Sequence, residues 1–181
     1  MQVSRDWKDY ECIASGDGEK LERWGNVVLR RPDPQIIWEQ SRDTVWNSWD
    51  GWYHRSNKGG GSWEFKRKLD DSWKINYKNL TFKVSPTNFK HTGIFPEQAV
   101  NWDYVMDKIK ASGRDDFRVL NLFAYTGCAT MAASHAGAFE VVHVDASKGM
   151  VEWAKENRDL SGLTDNKIRF IVDHVIKFLE R

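Results

Sequence analysis

Hydrophobic and polar positions follow two different rhythms along this chain. Up to about Pro86 the apolar residues come in short runs cut by turn residues: 13–15 before Gly16-Asp17-Gly18, 27–31 before Pro32-Asp33-Pro34, then 35–39, with Gly59-Gly60-Gly61 further on. This predicts a meander of small antiparallel strands. The clearest hairpin spans residues 73–84, where Ile75 and Tyr77 alternate with polar neighbours, Lys78-Asn79 turns, and Leu80, Phe82 and Val84 resume the period of two. The stretches RRPDPQIIW and GSWEFKRKL alternate well enough to be ordinary strands as well.

After Pro96 the period changes. Ala99, Trp102, Val105, Met106 and Ile109 recur at spacings of three and four, predicting a helix that Pro96 opens and Ser112-Gly113 stops. Residues 118–125 form a nearly continuous apolar run, as for a strand covered on both faces. A small-residue helix follows over 126–137, closed by Gly137. The cycle then repeats with a strand at 140–144, a helix at 147–160, a strand at 168–172 and a helix starting near Asp173. Strands alternating with helices of this length predict a parallel sheet joined by right-handed crossovers.

Composition narrows the classes. With 40% hydrophobic residues, 13% aromatic and a net charge of +1, the 181 residues are neither a disordered tail nor a generally polybasic binder. No run approaches the roughly 18 apolar residues of a membrane span, and the polar start is no signal peptide, so the expected address is the cytoplasm, with no membrane partner. Cys12 and Cys128 lie 116 positions apart without a CxxC or Cys/His cluster, which indicates neither a disulfide framework nor a metal site. Charge is divided unevenly, with 16 basic and 13 acidic residues over 1–90 and 11 and 13 over 91–181. Eight of the ten tryptophans fall within the first 73 residues, and Arg55, Lys58, Lys66, Arg67, Lys68, Lys74, Lys78 and Lys83 face only three acids over 54–83. Such a segment suits RNA, through stacking and cations. The competing reading makes the indoles the core of a small β unit.

Ligands of open α/β sheets bind beyond the carboxyl ends of the strands, so the residues there carry the candidate chemistry. After the first strand stands Ala124-Tyr125-Thr126-Gly127, with a glycine small enough for a backbone to approach a ligand. After the second stands Asp145, eighteen positions beyond Gly127, about where a nucleoside-binding unit places the carboxylate for its ribose hydroxyls. After the third stands Asp173. A generic βαβ unit has the same outline, and Asp145 (with Ser147) and Asp173 can also be read as helix caps. The turn NLFAYTGCAT has one glycine where a dinucleotide's pyrophosphate needs three, which argues against a nicotinamide cofactor and suits one without phosphate.

VLNLFAYTGCAT together with VDASKGMVEWAKENRDLSGL resembles the class I S-adenosylmethionine-dependent methyltransferases, and FKHTGIFPEQAVNW narrows the likeness to the branch of the 23S rRNA cytosine-5 methyltransferases and their relatives. The resemblance covers roughly residues 85–181. It implies an α/β, Rossmann-like fold, here incomplete, over residues 87–181, preceded by a small Trp-rich antiparallel β subdomain over 1–86. It implies S-adenosylmethionine as cofactor and RNA as the partner acted on. A small-molecule or protein acceptor stands as an alternative, as does a non-catalytic nucleic-acid-binding or regulatory fragment. Carried over by position, Phe123, Ala124, Tyr125, Thr126 and Gly127 face the methionine and adenosine, and Asp145 holds the ribose. Asp173 accepts from the adenine amino group, Ala146 and His174 flank the ring, and Phe95 and Gln98 close the other side. For His91 and Trp102 a packing role stands beside an assisting one. The family's reaction chemistry lies on a later Asp-Pro-Pro strand and, in cytosine-5 members, on a cysteine beyond it, so the catalytic residues are expected after Arg181 and the 181 residues alone are expected to be inactive. The first strand is then expected at a sheet edge. Cys128, at a small-residue packing position, is not expected to be a nucleophile.

Overall fold

A computed structural model describes residues 3–57 and 59–181. Lys58, one of the basic residues singled out above, lies outside them. The described chain forms two compact units: Trp7–Tyr77 with Val84–Gly93, and the chain up to Asp6 with Lys78–Lys83 and Ile94–Arg181. The division at residue 86 read from the sequence is a single cut, whereas the chain changes unit at 6/7, 77/78, 83/84 and 93/94.

In the β unit, β1 (Tyr10–Gly16), β2 (Glu19–Trp24), β3 (Val27–Pro32), β4 (Gly51–Arg55) and β5 (Gly61–Phe65) form one sheet in chain order, followed by β6 (Trp73–Tyr77). The sheet is not wholly antiparallel as predicted, because β3 and β4 run parallel, with Leu29 opposite Gly51 and Arg30 opposite Trp52. A long connection between them, including a 3-10 turn at Thr44–Asn47, makes that direction possible. Nor is 35–39 a strand. The carbonyls of Ile36 and Trp38 accept from the amides of Gly18 and Asp17, so this segment is tied to the β1–β2 turn and joins no ladder.

Strand β2 escaped the pattern because four of its six residues are charged. Glu22 is nevertheless fully buried beside Leu21 and Trp24. It survives there because Arg31 grips both its oxygens, Nε at 2.7 Å and Nη2 at 2.9 Å, while the Tyr10 hydroxyl donates at 2.8 Å. The indoles are chiefly core: Trp24, Trp46 and Trp49 are buried, Trp7, Trp52, Trp63 and Trp73 half-buried, and Trp38 exposed. Arg30 lies 4.0 Å over the Trp52 ring and Lys66 4.1 Å over Trp49, so both cations already cover indole faces.

The second unit holds β7 (Leu80–Val84, except its last residue), α1 (Ala99–Ser112), β8 (Arg118–Leu122), α2 (Cys128–His135), β9 (Glu140–Asp145), α3 (Lys148–Leu160), β10 (Ile168–Val172) and α4 (Val175–Leu179). The three later strands pair in parallel in the order β10-β9-β8, the sheet that the alternating grammar predicted. Gly113 ends α1 in the left-handed conformation, φ 61°, as a C-terminal glycine should. Ile109, Ala133 and Val141 seal α1 and α2 onto the sheet. β8 stops at Leu122, three residues short of the predicted run. As the edge strand it leaves Leu120 about half exposed, so coverage on both faces does not hold there. Among the described residues no helix is long and apolar enough to cross a membrane.

Candidate functional site

The chain leaving β8 turns sharply before α2. Phe123 and Tyr125 take φ of 53° and 52°, and Gly127 82°. For two aromatic residues that conformation costs about 1–2 kcal/mol each, so the turn persists only because its surroundings hold it. The Ala124 amide donates to the Val144 carbonyl at 3.0 Å and the Tyr125 amide to Asp145 Oδ2 at 2.8 Å. Gly127 is required twice over: a Cβ there would stand 3.0 Å from Ala154 Cβ, 3.1 Å from Met131 Cε and 3.3 Å from His143 Cε1.

This turn and α1 enclose a cavity of about 550 Å³. Of the residues selected from sequence, Phe95, Gln98, Phe123, Ala124, Tyr125, Thr126 and Gly127 line it, and the Phe95 and Tyr125 rings lie 5.3 Å apart. Asp145, Ala146, Asp173 and His174 do not line it. They sit on the adjoining rim, where the Asp173 amide donates to the Asp145 carbonyl at 3.1 Å, and Asp145 is joined to the cavity wall through Tyr125. His91 is not a lining residue; Trp102 is, while also packing 5.6 Å from the Phe82 ring. The wall also takes in Glu97, Asn101 and Val105; the sequence reading places Val105 on the apolar face of α1 and gives none of the three a site role. The signal was present as polar residues at 97, 98 and 101, one turn apart.

The capping alternatives resolve in detail. Ser147 caps α3 weakly, its Oγ accepting from the Met150 amide at 3.4 Å, while Asp145 Oδ1 accepts from the Ser147 amide at 2.9 Å. Asp145 thus holds both the turn and the helix entry with two backbone amides. A carboxylate has about four lone-pair positions, so acceptor capacity remains on both oxygens. Asp173 accepts from the His174 amide at 2.8 Å and pairs with Arg181 at 2.8 Å, without capping α4. Burial pushes the Cys128 thiol up to about 12, leaving it protonated and unreactive at neutral pH.

Beneath the turn, Asn121 Nδ2 donates to Thr130 Oγ1 at 2.9 Å, and that hydroxyl lies 3.0 Å from His143 Nδ1. Directed toward Nδ1, it places the ring proton on Nε2, which is buried and has no hydrogen-bond partner among the described residues. A charged ring would be costly here. Burial lowers the His143 pKa from 6.5 to about 4, against a small opposing pull from Asp145. The folded state therefore binds this proton less readily than the unfolded state. The histidine's contribution is complete above pH 6.5 and is lost as pH falls toward 4, by on the order of 3 kcal/mol at about 1.4 kcal/mol per pH unit. Denaturant unfolding between pH 7 and 4 should show this slope, and His143→Gln should flatten it; an unchanged slope in the variant would remove His143 as its source.

The profile of the family described as S-adenosylmethionine-dependent methyltransferase matches residues 50–180. The chain belongs to that family. S-adenosylmethionine is the family's cofactor, and the fold is the Rossmann-like α/β fold of its class I members. Among solved structures, the methyltransferase from Agrobacterium tumefaciens superposes with a TM-score of 0.91 at 40% identity, covering 98% of this chain and 56% of that one. SMU.776, solved in complex with S-adenosylhomocysteine, has a TM-score of 0.74 at 19% identity over 98% of this chain and 48% of that one, a likeness of fold. A curated methyltransferase relative, ribosomal RNA large subunit methyltransferase K/L of Syntrophotalea carbinolica, is 29% identical over 174 residues. The match covers 96% of this chain and 23% of that relative, so the chain spans less than a quarter of its length.

Proposed function

We propose that this chain carries the cofactor-binding part of a methyltransferase that acts on RNA, with S-adenosylmethionine seated over the 123–127 turn. The observation that carries the reading is Asp145: a carboxylate on the strand-end rim that braces the turn and keeps acceptor capacity for two ribose hydroxyls. The residues suit this cofactor. A cavity of about 550 Å³ is within the usual size of a small-molecule site, and a one-glycine turn suits a ligand without phosphates. Phe95 and Gln98 would close the α1 side, residues 123–127 would face the methionine and adenosine, Asp173 would accept from the adenine amino group, and Ala146 and His174 would flank the ring. The bound cofactor supplies an electrophilic sulfonium methyl group. The protein's task is then to hold and orient it for in-line displacement.

RNA as the acceptor is supported by the name of the relative above and by the basic excess over residues 1–90. Calorimetric titration with S-adenosylhomocysteine should show one saturable site per chain; a flat titration together with an unshifted melting curve would sink the cofactor assignment. Single-stranded RNA should bind with an affinity that falls steeply with salt. No binding at low salt would move the acceptor to a small molecule or a protein.

A further inference from the structure

Helix α3 and the residue that ends it present Trp153, Asn157 and the C-cap Ser161 at intervals of four, on one side. The backbone of β7 runs along that side. The Thr81 amide donates to Ser161 Oγ at 3.1 Å and the Ser161 hydroxyl returns a bond to the Thr81 carbonyl at 2.9 Å. One turn earlier the Lys83 amide donates to Asn157 Oδ1 at 2.8 Å, and Trp153 Nε1 donates to the Lys83 carbonyl at 3.3 Å. A row of side chains thus does for this strand what a neighbouring strand would do.

Asn157 has a second partner. Its Nδ2 donates at 2.9 Å to the carbonyl of Thr126, the residue before Gly127. Asn157 and Thr126 are both fully buried. The orientation of the amide follows from its partners, since a flipped side chain would set donor against donor at Lys83 and acceptor against acceptor at Thr126. Aspartate could not donate to Thr126, and leucine could serve neither partner. The 123–127 turn, with its two left-handed aromatic residues, is otherwise anchored to β9 through Val144 and Asp145; the bond from Asn157 is an anchor to α3.

Resting on the cofactor reading above, we infer that Asn157 is a positioning residue: one buried amide that serves the β7 backbone with its oxygen and, through its own bond to Thr126, locks the cofactor turn. Ser161 provides the control, because it serves the same strand without touching the turn. In Asn157→Asp, affinity for S-adenosylhomocysteine by calorimetry should fall about tenfold or more, and hydrogen exchange at the Tyr125 and Gly127 amides should accelerate by a similar factor. Asn157→Leu, which buries no charge, is the companion should the aspartate variant not fold, with the same two effects expected. Ser161→Ala should lower the melting temperature while leaving both readouts at the parent level. Folded Asn157 variants with parent-like exchange at Tyr125 and Gly127 would overturn the inference, and so would a Ser161→Ala variant that reproduces their effects. Failure of the parent chain to bind S-adenosylhomocysteine would instead count against the cofactor reading, with exchange at the turn still deciding the role of Asn157.

Discussion

Asp145→Ala should bind S-adenosylhomocysteine about tenfold to a hundredfold more weakly than the parent chain, since a hydrogen bond to a charged group contributes about 1.5–3 kcal/mol. The same substitution should lower stability. It strips the acceptor from the Tyr125 and Ser147 amides, one holding the turn and the other the entry to α3. Asp145→Asn separates the two effects. It keeps one oxygen as an acceptor, so it should retain more of the fold while losing the charge that the ribose hydroxyls would meet. Calorimetry and thermal unfolding of both variants give the comparison. Unchanged affinity in a well-folded Asp145→Ala protein would remove the ribose role.

Glu22→Ala should cost about 3–5 kcal/mol, the usual consequence of leaving a buried charge without its partner. Here that charge is Arg31, almost fully buried, which also donates to the Lys90 carbonyl at 2.8 Å and holds its guanidinium 5.2 Å over the Trp24 ring. Replacing both members, as Glu22→Leu with Arg31→Met, should recover part of the loss, because two apolar side chains of similar volume need no partner, while the Tyr10 hydroxyl and the Lys90 carbonyl still lose theirs. Denaturant unfolding followed by tryptophan fluorescence reads the result, as eight of the ten indoles lie within the first 73 residues. A single-variant cost below about 1 kcal/mol would contradict this account of the pair.

The pair also has a pH signature. Burial opposes the charged form of Glu22, but the Arg31 guanidinium and the bonds from Arg31 and Tyr10 outweigh it, holding the carboxyl below its ordinary value of 4.5. Its contribution is therefore full above that value and is lost as pH falls below it. The His143 effect is felt earlier, between 6.5 and 4, so the two are distinguishable in one acid titration.

Much of the α/β unit was legible in the sequence. The strand at 168–172 and the helix through 147–160 follow from apolar spacing that each segment carries within itself, and a glycine and two acids at strand ends marked the rim. Those signals are local. Strand β2 was not legible, because a glutamate and an arginine read as surface residues until each is seen to be the other's partner across a ladder. The parallel pairing of β3 with β4 was hidden as well, since a chain direction set by a long connection leaves no period in the residues. In the site, residue types pointed to Asp145 and Gly127, but only packing showed that Asp145 turns back to the Tyr125 amide, that α1 forms the opposite wall, and that Asn157 reaches the turn from α3. Periodicity and turn chemistry are properties of near neighbours, so the sequence by itself determined the elements and the residues on their ends. Which buried polar group meets which is settled by contacts between distant segments, where an unpaired partner is too costly to keep, and that the tertiary structure alone decided.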